Sequence, residues 1–173
     1  PFLPVSHLVS LAIAAQNDSV LYIGSVSPGV HKSTDRGSTW TQMPFVTPLQ
    51  AGPLLKVDPR NANTIYAAIW GQDTTRPGGV FKSTDGGLTW VEKNTGLRKQ
   101  DRRIHTIELN PENADDLFIG VSNVSGDVIF RSTNGGNYCF GFSNGLPRLG
   151  VIGSIIIDTL NGRAYAEGGR YPD

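Results

Sequence analysis

One eight-residue motif occurs three times along the chain at an almost constant distance. It reads STDRGSTW at residues 33–40, STDGGLTW at 83–90 and, in a degraded form, STNGGNYC at 132–139. Successive copies are therefore 50 and then 49 residues apart. A second element recurs upstream of the copies as LAIAAQNDSVLY, LKVDPRNANTIY and IELNPENADDLF, and returns a fourth time as IIIDTLNGRAY. Two elements that recur together predict an architecture built from repeats.

Each repeat is predicted to form four short strands. The first two are apolar or aromatic runs such as residues 54–57 and 64–70, the third is residues 79–82, and the fourth starts at Thr89 and Trp90. Gly, Pro, Asn and Asp bound these runs, and no stretch keeps the 3.6-residue apolar period of a helix. The 21 glycines and 11 prolines among 173 residues fit many short strands joined by tight turns. The pattern predicts an all-β chain, a β-propeller of four-stranded antiparallel blades.

The whole chain, residues 1–173, is predicted to be a partial propeller of about three and a half blades. The blades span about residues 5–45, 52–95 and 103–143, with a partial fourth blade at about 150–173. A ring of six to eight blades would need roughly 300–400 residues, and an open ring leaves strand edges in water. The missing initiating Met and the ending GGRYPD favour a piece of a longer chain that supplies the other blades. Assembly with a second chain is the alternative.

The repeated motif is predicted to be a structural turn between the third and fourth strands. An aspartate there can accept backbone N–H bonds, a glycine can adopt positive φ, and a tryptophan can bury apolar surface. No helix follows the glycines, so a phosphate-binding loop is not predicted. Cys139 stands in the place of the tryptophan, and we expect it to be a buried apolar residue rather than a nucleophile. The residues assigned to the structural turns are Ser33, Asp35, Gly37, Trp40, Ser83, Asp85, Gly87, Trp90, Ser132, Asn134 and Gly136.

The motif resembles the Asp-box, or BNR, repeat shared by sialidases, xyloglucan-hydrolysing glycosidases, sortilin-type receptors and photosystem II assembly propellers. The longer unit DPRNANTIYAAIW followed by GGVFKSTDGGLTW is similar to generic bacterial BNR-repeat proteins. This resemblance covers nearly the whole chain and implies the propeller fold. It leaves the activity open, because such families include both enzymes and pure binders.

The resemblance also implies that function lies on the face opposite the Asp-box turns. The loops expected on that face are residues 25–28, 43–52, 71–78, 92–103, 122–127 and 142–151. The candidate ligand-binding residues come from two of these loops and the strand before them: Trp70, Asp73, Arg76, Arg98, Lys99, Asp101, Arg102 and Arg103. Arginines suit carboxylates, sulfates and phosphates, so an acidic glycan or an acidic peptide is the expected ligand. The alternatives are a solvated charged loop and, for Trp70, a packed strand end.

Charge and spacing argue against several other functions. Fifteen Lys and Arg residues balance fifteen Asp and Glu residues, so nucleic acid is not an expected partner. The apolar runs are too short to span a bilayer. His7, His31 and His105 fall in different parts of the repeat, so neither a metal site nor a cofactor is predicted. We expect an exported bacterial protein, either extracellular or periplasmic.

These observations predict a non-catalytic interaction module that binds a glycan or a protein partner. A glycosidase needs two suitably spaced carboxylates, and a sialidase needs an arginine trio with an acid, a tyrosine and a glutamate. No such set can be assigned in the chain. The alternative is a sialidase-like or xyloglucanase-like glycoside hydrolase whose active site is completed by other blades. In that case Asp73 or Asp101 would be one of its carboxylates.

Overall fold

The computed structural model describes residues 6–27, 29–45, 52–73, 75, 78–123, 126–146 and 150–169. Within these ranges, the one helical segment is the short 3₁₀ turn Lys99–Asp101, and everything else that is regular is β-strand, so the all-β prediction is confirmed. The strands are β1 Ser6–Ile13, β2 Leu21–Ser27, β3 Val30–Ser33, β4 Thr41–Gln42, β5 Leu54–Asp58, β6 Asn61–Ile69, β7 Gly79–Ser83, β8 Val91–Glu92, β9 Ile104–Asn110, β10 Asn113–Asn123, β11 Ile129–Ser132, β12 Phe140–Gly141, β13 Gly150–Asp158 and β14 Arg163–Gly169.

Consecutive strands pair antiparallel with their neighbours in the chain. Two four-stranded sheets have the orders β1-β2-β3-β4 and β5-β6-β7-β8. In a third sheet β9, β10, β11 and β12 repeat this arrangement, and the end of β10 also pairs with the start of β13, which carries β14. Because every connection within a four-strand set is a hairpin, each set can form from one short stretch of chain.

The second strands of the second and third repeats are longer than predicted, because their ladders continue almost to the preceding turn. β6 begins at Asn61 and β10 at Asn113, three residues before the starts at residues 64 and 116 that the sequence pattern predicts. Asp58 already pairs with Asn61, and Asn110 already pairs with Asn113. By contrast, the fourth strands contain only two residues each, since the turn that precedes them takes up most of that part of the repeat.

The chain divides into two compact units. Unit 1 comprises Pro1–Ala68 with Phe81–Glu92, and unit 2 comprises Ile69–Val80 with Lys93–Asp173. In unit 1 the fully buried side chains include Tyr22, Ile65 and Tyr66. In unit 2 they include Ile104, Ile107, Leu117, Ile119 and Val121 on β9 and β10. The second strands lie in the middle of their sheets and are buried on both faces, which explains why their central residues are continuously apolar.

The turns between the third and fourth strands, which we call the S-x-D turns, hold themselves together through their own side chains. In the second turn the Asp85 carboxylate accepts bonds from the Thr89 amide at 2.9 Å and the Thr89 hydroxyl at 2.5 Å. Ser83 Oγ donates to Asp85 at 2.8 Å and accepts from the Gly87 amide at 2.9 Å. The indole N–H of Trp90 donates to the Gly87 carbonyl at 3.0 Å. Gly87 has φ +94°, a conformation that favours glycine.

The first turn repeats this geometry with Ser33, Asp35, Gly37, Thr39 and Trp40. In both turns the threonine hydroxyl, followed by the threonine amide and the serine hydroxyl, lowers the pKa of the aspartate to about 2. These side-chain contacts are all local, so each turn stabilises its own backbone conformation.

The third turn keeps the same backbone conformation with a different set of side-chain bonds. Ser132 Oγ still accepts from the Gly136 amide at 2.9 Å, and the Tyr138 amide still donates to Asn134 Oδ1 at 2.9 Å. Cys139 is 1% exposed, and this burial raises the pKa of its thiol to about 11. A thiol held in this protonated state is a weak nucleophile, and it cannot replace the indole hydrogen bond of the other turns.

Candidate functional site

The candidate site lies within unit 2, where Trp70 follows the end of β6. Trp70 forms an isolated antiparallel bridge with Arg103, the residue before β9. The side chain of Trp70 is 44% exposed, and the centroid of its ring lies 6.2 Å from that of His105. An indole that is held by backbone pairing on one side and open to water on the other is a fixed aromatic surface for a ligand.

Backbone contacts fasten the segment after Trp70 to the start of β9. The Gly71 amide donates to the Arg102 carbonyl at 2.8 Å, and Arg103 Nη2 donates to the Gln72 carbonyl at 3.3 Å. Gly78 lies against the same backbone. A Cβ atom on Gly78 would overlap the Ile69 carbonyl oxygen and the Gly71 amide nitrogen. Only a residue without a side chain fits there, so the position of Trp70 depends on close backbone packing.

The basic loop, residues 97–103, is organised around one buried carboxylate. Asp101 has 0% of its surface exposed, although four basic residues surround it in the sequence. Asp101 Oδ2 accepts from the Arg98 amide at 3.0 Å and from Arg98 Nε at 2.8 Å, and Oδ1 accepts from Arg98 Nη2 at 2.9 Å. The paired carboxylate raises the pKa of the Arg98 guanidinium above its ordinary value. Arg98 and Asp101 thus close the loop onto itself.

Asn123 at the end of β10 ties this loop to the sheet. Its side-chain nitrogen donates to Asp101 Oδ1 at 3.0 Å and to the Asp127 carbonyl at 3.0 Å. Together with Arg98, Asn123 provides four hydrogen bonds to the two oxygens of Asp101. Four bonds match the acceptor capacity of an ionised carboxylate. The structure therefore places Asp101 as an internal anchor of the loop.

The other basic residues of the loop point to the surface to different degrees. Lys99 and Arg103 are exposed, while Arg102 is half-buried and donates through Nε and Nη2 to the Leu97 carbonyl. The side chain of Arg98 is 56% exposed on the side away from its ion pair. The surface beside Trp70 therefore carries exposed positive charge whose matching carboxylate is buried.

Of the remaining residues predicted for the site, Asp73 lies near this surface and Arg76 lies outside the described residues. Asp73 is half-buried and accepts from the Thr75 amide at 2.8 Å and from the Thr75 hydroxyl at 2.5 Å. These bonds from Thr75 stabilise the loop to which Asp73 belongs. The assignment of Asp73 and Arg76 to ligand binding stays a prediction.

The structure also brings a histidine and a serine to the site that sequence reasoning did not select. His105 Nε2 lies within hydrogen-bonding distance of Ser122 Oγ, and burial lowers the pKa of the His105 imidazole. Ser122 and His105 are 17 residues apart and face each other only because β9 and β10 pair. No local pattern marks such a contact, and the same holds for Asn123 with Asp101.

The chemistry that this arrangement offers is recognition by stacking and by charge. Arg103, Lys99 and the exposed side of Arg98 can donate to anionic oxygens, and Trp70 can pack against an apolar or sugar ring. Within the described residues, no group of three His, Cys, Asp or Glu side chains is arranged to hold a metal ion.

Comparison with known proteins identifies the architecture. No known family profile matches the chain. A probable oligoxyloglucan-reducing end-specific xyloglucanase of Neosartorya fischeri is 31% identical over 84 residues, which is 46% of this chain and 10% of that protein. A xyloglucanase of Hypocrea jecorina is 40% identical over 81 residues, or 40% of this chain and 9% of that protein.

Solved structures match much more of the chain. An ancestral GH74 enzyme superimposes on 98% of it with a TM-score of 0.72 at 22% identity. YCF48 from Cyanidioschyzon merolae covers 95% of the chain with a TM-score of 0.63 at 19% identity. The fold is a β-propeller. This chain corresponds to 23% of the GH74 chain and 51% of the YCF48 chain, and it spans about a tenth of the curated relatives.

In the part of the chain that the structure describes, no helix has the length and hydrophobicity of a membrane span.

Proposed function

We propose that the protein is a non-catalytic propeller module that binds a glycan or a protein partner through the surface formed by Trp70 and the basic loop. The single observation that carries the proposal is the pairing of a half-exposed Trp70 with the exposed Arg103, while Asp101 is withdrawn into the loop. A surface with exposed basic side chains, in which the Asp101 carboxylate paired with Arg98 is buried, favours anionic ligands. An acidic glycan or an acidic peptide has the matching chemistry.

We further propose that the three S-x-D turns are Asp boxes and that the chain belongs to a larger propeller. The proposed blades are residues 5–45, 52–95 and 103–143, with part of a fourth at 150–173. The sheet order supports this division, because each set of four consecutive strands forms one antiparallel array. The remaining blades would come from a longer chain or from another chain, and an exported location, extracellular or periplasmic, fits relatives that act on xyloglucan.

Binding to defined acidic probes tests the proposed function. A short oligogalacturonide and a glutamate-rich peptide are titrated against the protein, with a neutral xyloglucan oligosaccharide for comparison. We expect one of the acidic probes to bind, and Arg103→Glu and Trp70→Ala each to weaken that binding by about tenfold or more. Arg60→Glu is the matched control, because it reverses an exposed charge in the β5–β6 turn, ahead of the start of β6, whereas Trp70 follows the end of that strand. Unchanged affinity in Arg103→Glu and Trp70→Ala would reject this surface as the binding site.

A second candidate function is glycoside hydrolysis, since the curated relatives are xyloglucanases. In this case Asp73 or Asp101 would supply one carboxylate and other blades would supply the rest. The surroundings of Asp101 argue against it, because all its acceptor positions are used within the protein. Asp73 is then the acid to test.

Turnover measurements separate the two candidates. Aryl glycosides, sialylated substrates and xyloglucan are incubated with the complete protein that contains this chain, and reducing ends or free aryl groups are measured. We expect no turnover. Turnover that is lost in a folded Asp73→Asn variant, but kept in Arg60→Glu, would establish the hydrolase instead.

A further inference from the structure

A contact between successive repeats recurs along the chain, and its first instance lies within unit 1. Met43 follows β4 and covers the S-x-D turn of the next repeat: a Cβ atom built on Gly87 would lie 3.2 Å from Met43 Cγ. The ring centroids of Phe45 and Trp90 are 4.7 Å apart. Met43 and Phe45 are 7% and 8% exposed, so the turn closes over both side chains.

The second instance lies within unit 2 and uses different side chains at equivalent positions. Lys93 follows β8 as Met43 follows β4, and its Cβ lies 3.0 Å from the position of a Cβ built on Gly136. Lys93 Nζ donates to Asn137 Oδ1 at 2.6 Å, and the Cys139 amide donates to the Thr95 carbonyl at 2.9 Å. In both instances the segment after the fourth strand therefore receives the glycine turn of the following repeat.

The third equivalent position is Phe142, and it is 44% exposed. Among the described residues, no further S-x-D turn follows it in sequence. The ring of Phe142 packs at 5.7 Å against Phe118, and the guanidinium of Arg131 lies 5.3 Å from the Phe142 ring and 5.1 Å from the Phe118 ring. Arg131 donates from Nε and Nη2 to the two carboxylate oxygens of Asp116, at 2.8 and 3.1 Å, and these bonds hold it in this place.

These side chains line a groove of about 260 Å³ within unit 2. The turn between β9 and β10 borders it at Asn110 and Glu112, and the turn between β13 and β14 borders it from 158 to 164. The groove thus combines an aromatic wall with carboxylates and a fixed guanidinium. It lies toward the Asp116 end of β10, whereas the proposed ligand surface lies at the Asn123 end of the same strand.

We propose that this groove is the docking site for an S-x-D hairpin of one further repeat, with its glycine turn seated on Phe142. The occupant is defined by its chemistry: a Gly-Gly pair with positive φ that brings backbone close to the receiving side chain. The two filled instances support this choice, because both place a glycine at φ +94° or +84° within about a van der Waals contact of the equivalent residue. The exposed aromatic surface at Phe142 supplies an apolar area that the backbone of such a turn can cover.

A cyclic peptide with the sequence of residues 78–93, closed by a disulfide between added terminal cysteines, tests the proposal against the full chain. NMR first establishes that the peptide forms the turn. Binding is then followed by fluorescence anisotropy of a dye on the peptide. We expect saturable binding that Phe142→Asp weakens by about tenfold or more, because a charge would replace the apolar seat. Leu88→Asp is the matched control, since Leu88 is 60% exposed on a different hairpin.

A peptide with Gly87→Val should bind at least about tenfold more weakly, because a β-branched residue opposes positive φ and its side chain occupies the contact. Circular dichroism checks that Phe142→Asp remains folded, and Ile157→Asp, also at the groove, replaces it if it does not. Absence of binding by the folded peptide, or equal binding to the Phe142→Asp variant, overturns the proposal. Self-association of the chain that Phe142→Asp abolishes, without peptide binding, also overturns it in favour of a second copy as the occupant.

Discussion

Replacing Asp101 by alanine should destabilise the protein, because the carboxylate is a buried anchor of the basic loop. The change removes four hydrogen bonds from Arg98 and Asn123. The guanidinium of Arg98 is half-exposed, so water replaces its lost partners and those two bonds contribute little. The Arg98 amide and the buried Asn123 side chain lose a charged acceptor, at about 1–2 kcal/mol each. We expect the free energy of unfolding to fall by about 2–4 kcal/mol.

Unfolding in urea, monitored by tryptophan fluorescence, measures this change. The slope of the unfolding free energy against urea concentration should be the same for all variants. Asn123→Ala should also lower the free energy of unfolding. The variant with both substitutions should lose about 1 kcal/mol less than the sum of the two single losses, because both substitutions remove the same Asn123–Asp101 bond. The control Glu112→Ala removes an exposed carboxylate and should change stability by less than about 0.5 kcal/mol. If Asp101→Ala is as mild as Glu112→Ala, the anchor role is wrong, and Asp101 becomes available as a ligand-facing acid.

Three further predictions concern the turns and the close backbone contacts. The pKa of Asp85 is lowered to about 2, so its contribution to stability is present above about pH 4 and is lost as the pH falls toward 2. Asp85→Asn should therefore flatten the dependence of the urea midpoint on pH in that window, and an unchanged slope would contradict this. Cys139 is buried and the pKa of its thiol is raised to about 11, so it should react with a thiol reagent only as fast as its turn or the whole protein opens. Labelling in native buffer as fast as that of a free thiol would refute this. Gly78→Ala should clearly lower the urea midpoint, because its Cβ would overlap the backbone. Gly153→Ala should change the midpoint little, because its Cβ would have no atom within 4 Å, and equal effects of the two substitutions would contradict the packing described.

The fold could be predicted because its signal is local and repeated. The Ser, Asp, Gly and Trp residues of each turn contact one another within seven residues, so their spacing alone contains the structure. Three copies at one period then predict the four-stranded units. The lengths of β6 and β10 were underestimated, because polar residues such as Asn61 and Asn113 pair there in spite of low strand propensity.

The candidate site was only partly predictable, because its decisive contacts are not local. Trp70 and the basic loop were selected from residue type and charge, and the bridge between Trp70 and Arg103 brings them together. The charge run did not reveal that Asp101 is buried, since its burial depends on Asn123 on another strand. Sequence patterns describe which groups a loop carries, and tertiary pairing decides which of them face water.

The third S-x-D turn differs from the first two in ways that bear on how the protein opens locally. It has a neutral Asn134 in place of an aspartate, and Cys139 donates no bond like those from Trp40 and Trp90. Because the charged acceptor and the indole bond are missing, we expect this turn to need less free energy than the first two for a local opening that leaves the sheets intact. Amide hydrogens of residues 134–138 should therefore exchange with deuterated solvent sooner than those of the other two turns. The three turns are alike in shape, but the third should open more readily than the other two.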